Sequence, residues 1–215
     1  MASATVTLSN RLKYDILRKR IDFSADNIKA LLCRGGFVFD KDTLHTKQQF
    51  NGYVSLACSF YMSTINCAAG GLSGYFLSGQ AITGSGNTSY AFSYLCTSAT
   101  DSILYFTGSA SWLAGTSATL LTIQDEVASG NGYSRDATYI SGISITEDDT
   151  SDLVSIMWAT NLSWTATGGS IGNVAGIILI DDTWSAVIGY ISLASAEMVA
   201  VNNALVISGV TIRLT

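Results

Sequence analysis

One histidine, four cysteines and sixteen acids are the chain's stock for acid–base or metal chemistry. His45 stands between Leu44 and Thr46, and any Ser-His-Asp or Cys-His arrangement would have to use it. Its neighbours supply neither a nucleophile nor an orienting acid, so it reads as a turn or surface histidine. Cys33, Cys58, Cys67 and Cys96 contain no C-x-x-C pair. Structural zinc wants four grouped ligands, so these cysteines read as buried thiols. The acid pairs Asp125-Glu126 and Asp181-Asp182 are adjacent, and adjacent strand residues face opposite ways, which is poor geometry for a glycosidase pair. Gly84-Ser85-Gly86 lacks the third glycine of a dinucleotide loop, and no Gly-Lys-Ser or Gly-Lys-Thr triplet occurs. The acidic run Glu147-Asp148-Asp149-Thr150-Ser151-Asp152 reads as a solvated turn, with a calcium loop as the weaker alternative. The expectation is a protein that is not an enzyme and carries no metal and no cofactor.

Charge is the stronger signal. Nine of the eleven Lys and Arg fall within residues 1–47, against five of the sixteen acids, while the remainder is acidic. The core of that asymmetry is Arg11, Lys13, Arg18, Lys19 and Arg20, which predict a basic arm made for an acidic surface, protein or nucleic acid. A solvated amphipathic helix accounts for the same residues. Nucleic acid is disfavoured as the partner, because only Tyr14 offers an aromatic platform beside the cluster.

These residues must be positioned by elements that the pattern predicts to be mostly β. Residues 5–8 read as a strand. Ser9 or Asn10 can cap a helix over 11–20 with Leu12, Ile16 and Leu17 as its apolar stripe. Ile28 to Cys33 and Phe37 to Phe39 read as strands around Gly35-Gly36, followed by a turn at Asp40-Lys41-Asp42-Thr43. From Gln48 to Gln124 the only charge is Asp101. A membrane span over 53–77 is argued against by its many Ser, Thr, Asn and Gly residues. Strands over 53–61, 75–77, 90–95 and 103–107, with a glycine turn at 84–86, fit better.

Asn131-Gly132 is a tight-turn dipeptide leading into a strand over 139–146. Val154 to Trp158 is a further strand. Residues 160–193 read as three strands of one buried sheet: Leu162 to Trp164, Ala175 to Ile180 and Val187 to Leu193, interrupted by Gly168-Gly169 and Asp181-Asp182-Thr183. Near the end, Leu205 and Ile207 share one phase and Val210, Ile212 and Leu214 the other, so a bulge is predicted at Ser208-Gly209.

Composition sets the context. Charged residues are 13% of the chain, about half the usual share, and proline is absent. So little charge suits a surface covered by copies of itself or by another protein. No secretory signal is visible, so a reducing compartment is the default.

Ile21-Asp22-Phe23, Asp26-Asn27-Ile28-Lys29-Ala30-Leu31-Leu32 and Gly36-Phe37-Val38-Phe39-Asp40-Lys41-Asp42-Thr43-Leu44-His45 resemble the opening of small virion structural proteins of tailed bacteriophages. Glu126 to Tyr133, Trp164-Thr165-Ala166, Gly168 to Gly172, Ala175 to Asp182 and Ile188 to Ile191 follow in the same order. The departure is the middle, which looks like an insertion.

The resemblance implies an all-β chain built on a β-sandwich, jelly-roll or Ig-like. A basic N-terminal arm or helix (1–22) would precede a sandwich formed by 23–46 and 125–215, with 47–124 as an inserted β-rich subdomain. It implies a capsid decoration or cement protein, assembled in the host cytoplasm and carried on the head of the virion. Such a protein would bind the major capsid protein and form a homo-oligomer, trimer or dimer, with no membrane partner. Arg11, Lys13, Arg18, Lys19 and Arg20 would form a strap from Met1 to Arg20 onto the shell. A tail or tail-fibre protein with a host-contacting insertion is the alternative. A carbohydrate-binding module using Trp112, Trp158, Trp164 or Trp184 is an alternative of another class.

Overall fold

Short apolar runs separated by glycine and acidic turns fold as antiparallel strands in the computed structural model of the chain, which describes residues 6–51, 53–61, 64–67, 81–85, 92–99, 103–106, 117–123, 125–150 and 153–214. The chain divides into two compact units, Met1–His45 with Glu126–Thr215, and Thr46–Asp125. The first unit opens with β1 (Val6–Leu8), α1 (Leu12–Leu17) and β2 (Ile28–Arg34). The second contains α2 (Lys47–Asn51), β3 (Tyr53–Tyr61), β4 (Thr64–Cys67), β5 (Ala81–Ser85), β6 (Phe92–Ala99), β7 (Ile103–Phe106) and β8 (Ser117–Ile123). The first resumes with β9 (Ile143–Asp148), β10 (Leu153–Trp158), β11 (Leu162–Thr165), β12 (Ile171–Asp181), β13 (Ala186–Val199), β14 (Ala204–Ile207) and β15 (Thr211–Leu214).

In the second unit the strands pair antiparallel in the circular order β3-β4-β7-β6-β5-β8, with β8 returning to β3. Cys58 and Cys67 are register partners there. Gly84-Ser85 does not turn: both residues belong to β5, where Gly84 pairs with Phe92 and Leu121. The strand predicted at 90–95 is observed as Phe92–Ala99, and the one predicted at 75–77 lies outside the described residues. Among the described residues no helix is long and apolar enough to cross a membrane.

The first unit is built on the four-stranded sheet β1-β13-β12-β2. Both faces of β2 and of the inner half of β12 are buried, as an uninterrupted apolar run requires. One face carries Ile28, Ala30, Leu32, Ile177, Leu179, Ile188 and Ile191 into the main core. There they join Ile156, Trp158, Leu162, Trp164, Leu205 and Ile212 from the sheets β15-β10-β9 and β11-β14. The other face buries Leu31, Cys33, Ile178, Ile180 and Val187. The outer edge of β2 is covered by the chain returning from the second unit: Val127 N–H donates to Leu32 O at 2.9 Å, Ala30 N–H to Thr138 O at 3.0 Å and Ile140 N–H to Ile28 O at 2.8 Å. A sheet edge so covered offers no template for stray pairing.

Several expectations are corrected. Leu162–Thr165 is not a third strand of the buried sheet; β11 pairs with β14 in a sheet of its own, because the chain reverses at Gly168 (φ +76°) before β12 begins. Phe37 to Phe39 is not a strand. Its alternation comes from packing, with Phe37 and Phe39 flanking the Tyr190 ring at centroid distances of 5.5 and 5.4 Å. Ser208-Gly209 is not a bulge within one strand but a break between β14 and β15, which pair with β11 and β10 respectively; Gly209 has φ +65°. Glu147 and Asp148 belong to β9, so the acidic loop is shorter than predicted. The strand predicted over 139–146 starts at Ile143, and Tyr139 makes only an isolated bridge to Lys29.

The Asn131-Gly132 turn behaves as expected. Gly130 and Tyr133 exchange backbone hydrogen bonds at 2.8 and 2.9 Å around Asn131 (φ +53°) and Gly132 (φ +89°), the two-residue type I′ geometry.

Candidate docking surface

The basic segment is not a free arm. β1 pairs with Gly189 to Ile191 of β13, Ser9 N–H donates to Ile188 O at 3.0 Å, and α1 sinks Leu12 into the main core. Removing residues 1–20 would therefore strip an edge strand and a core residue from the unit. That corrects the picture of residues 1–22 as an arm that only precedes the domain.

The helix is also shorter than the predicted 11–20. It ends at Leu17 because Lys19 adopts the left-handed conformation (φ +55°). Lys19 N–H returns to Ile16 O at 2.9 Å and Arg20 N–H to Asp15 O at 2.8 Å, the paired bonds of a Schellman stop. Neither predicted residue caps the other end in the usual way. Arg11 occupies the N-cap position in helical conformation, and the Ser9 hydroxyl accepts its N–H at 3.4 Å. The apolar stripe is corrected too: Leu17 is 83% exposed, and the buried companion of Leu12 is Asp15.

Asp15 divides the five basic residues. Its buried carboxylate takes Arg11 at 3.3 Å and Arg20 at 3.8 Å, drawing both guanidinium groups toward the fold. Arg18 lies over the Tyr14 ring, 5.4 Å from its centroid, and donates from Nε to Tyr14 Oη at 3.1 Å. Lys13 and Lys19 are exposed. The five residues thus do not form one charged face.

The segment does form one wall of an open groove of about 350 Å³. That wall is Ile16, Lys19, Ile21, Asp22 and Phe23; the floor is Ile145, Val154, Ile156 and Leu214 from β9, β10 and β15. Register explains the floor: Ile145 pairs with Ile156 and Val154 with Leu214, so all four project from one face of the sheet. The same face buries Trp158 and Ile212 deeper in, making the groove the open end of the main core. Asp22, at its rim, is held ionised below the usual carboxylate range by hydrogen bonds from the Ser24 hydroxyl and N–H.

A polar knot of the same unit was missed in the sequence. Lys29 counts there only as one of the nine basic residues of 1–47, and its side chain is 3% exposed. Nζ lies 2.7 Å from Asp182 Oδ2 and 3.1 Å from Asp136 Oδ1, and 4.6 Å from the Tyr139 ring centroid. Burial alone would lower its pKa, but the two carboxylate hydrogen bonds outweigh it and hold the ammonium above the usual lysine range. Beside it, Asp181 accepts N–H bonds from Thr183 and Trp184 at 2.8 and 3.3 Å, shaping the β12–β13 turn. Burial, with the Asp26 carboxylate nearby, raises Asp181 to about 6.

Several of the remaining candidates are engaged by the fold. His45 Nδ1 lies 3.3 Å from Ser9 Oγ, and its carbonyl accepts Val187 N–H at 2.9 Å. Glu126 accepts from Tyr133 Oη at 2.5 Å and from Asp136 N–H at 2.8 Å, while Tyr133 Oη accepts Leu32 N–H at 3.1 Å. Burial raises the Glu126 pKa despite these bonds. Trp158 and Trp164 are core residues, the latter donating to Thr138 Oγ1 at 3.0 Å. Trp184 is exposed on the β12–β13 turn, and Trp112 lies outside the described residues. Cys33 is a buried thiol. Among the described residues no cluster of three or more His, Cys, Asp or Glu could hold a metal ion.

No family model, no curated protein and no solved structure matches the chain.

Proposed function

We propose that the chain is a non-enzymatic structural protein of a tailed-phage particle, a capsid decoration or cement protein that binds the major capsid protein through the groove beside α1. The observation that carries this reading is the groove itself, an open end of the core with a mostly apolar lining and Lys19 and Asp22 at its rim, next to the exposed Lys13 and Arg18. An apolar cleft with Lys19 and the ionised Asp22 at its rim and further cations beside it suits a surface that contributes one or two apolar side chains flanked by acids: burial supplies affinity, and the charges steer and orient. Repetition of a modest contact over a symmetric shell then gives high avidity. The phage assignment is supported by the order of the motifs quoted above, and with it comes the reading of the first unit as a sandwich. Side chains of the four-stranded sheet meeting those of β10 and β15 in one core favour that reading.

The test is co-sedimentation with emptied shells. Wild-type protein should pellet with them, and the double variant Lys13→Glu/Lys19→Glu should bind at least tenfold more weakly while folding normally, since both side chains are exposed. Equal binding by the variant contradicts the groove; no binding by wild type contradicts the shell.

A further inference from the structure

We infer that β9 is a dimerisation edge, pairing antiparallel with β9 of a second copy about a two-fold axis at Ser144. In the three-stranded sheet β15-β10-β9, β9 is terminal, and among the described residues no strand pairs with its outer side. Its pairing with β10 runs through six consecutive residue pairs without a register shift, so the edge is regular. Several of the usual devices that blunt such an edge are missing: the strand has no lysine, no proline and no bulge, and its only charged residues, Glu147 and Asp148, stand at its C-terminal end. Ile145, at its centre, is 53% exposed.

The sequence of the strand points to a second copy as the occupant. A two-fold axis normal to a sheet matches the faces of the paired strands only when one residue meets its own copy. If that residue is Ile145 or Thr146, an isoleucine is set against Glu147 of the other chain. With Ser144 at the axis, Ile143 meets Ile145 of the other copy twice over. The charges of Glu147 and Asp148 then fall beyond the paired segment at both ends, where like charges are kept apart. Ile143 and Ile145 lie on the face that floors the groove, so pairing lengthens that apolar strip across both copies.

A short strand pair buries less than the roughly 1,600 Å² of a standard interface, so the dimer is concentration-dependent. It also sets two α1 grooves on one body, which deepens the shell-binding reading by making attachment bivalent. The pairing itself does not depend on that reading.

Sedimentation equilibrium of the full chain, without shells, tests it. Wild type should show a monomer–dimer equilibrium. Ser144→Lys and Ser144→Glu each place two like charges against one another at the axis and should be monomeric. Mixing the two should restore a heterodimer, which damage to the fold would not do. A wild type that stays monomeric, a dimer that survives either substitution, or a mixture that fails to associate overturns the assignment.

Discussion

Arg11 Nε lies 3.3 Å from the carboxylate of Asp15, one helical turn along α1, and that carboxylate is almost wholly buried. The contact turns an arginine of the basic segment into a structural element, and Arg20 closes on the same group at 3.8 Å. Asp15→Asn keeps the shape but removes the charge that holds both guanidinium groups. It should cost about 1–2 kcal/mol, read as a lowered midpoint in urea denaturation followed by tryptophan emission. A change within a few tenths would mean that Asp15 does not anchor the segment.

Lys19 separates fold from binding. A non-glycine residue at φ +55° pays for its side chain, so Lys19→Gly should stabilise the protein by about 0.5–1 kcal/mol. The same substitution removes the charge at the groove rim and should weaken shell binding several-fold. Higher thermal stability with weaker co-sedimentation is the expected pair of results.

The carboxylate of Asp181 makes stability depend on pH in a defined direction. Its folded pKa, about 6, exceeds the ordinary value of 3.8, so between those limits the folded state holds the proton more tightly than the unfolded state. The stabilisation is complete below pH 4 and is lost as pH rises through 6. Allowing for solvent screening, it amounts to about 1 kcal/mol. Asp181→Asn keeps an oxygen for the Thr183 and Trp184 amides. It should therefore gain on wild type as pH is raised from 4 to 7, measured as the difference between their denaturation midpoints.

Tyr133 holds the returning chain against β2. Tyr133→Phe leaves the buried Leu32 N–H without the hydroxyl that accepts it and takes one of its donors from Glu126, at a cost of about 1–3 kcal/mol. Amide exchange should quicken at Leu32 and Val127 before it does in β13; uniform exchange would show the hydroxyl to be dispensable.

What the sequence revealed was mostly what is local. The strand over Tyr53–Tyr61, the apolar runs of β12 and β13 and the Asn131-Gly132 turn are each determined by their own residues, and each was legible. The partner of β11 was not, because β14 lies some forty residues away and only tertiary packing selects it. The stop of α1 depends on a lysine in a conformation that favours glycine, so nothing in residues 11–20 announces it. The buried pairing of Lys29 was not legible because Asp136 and Asp182, which hold it, are distant in sequence. The groove draws on α1, the turn after it and three strands, so composition could suggest an adhesive surface but not locate one.

The most direct test of the central claim is a cryo-electron microscopy reconstruction, with and without imposed icosahedral symmetry, of the particle that carries this chain. The account predicts ordered density on the outside of the head, with α1 and the Ile145–Leu214 groove turned toward the major capsid protein. Density confined to the tail, or a head-bound copy with that groove facing solvent, would contradict it.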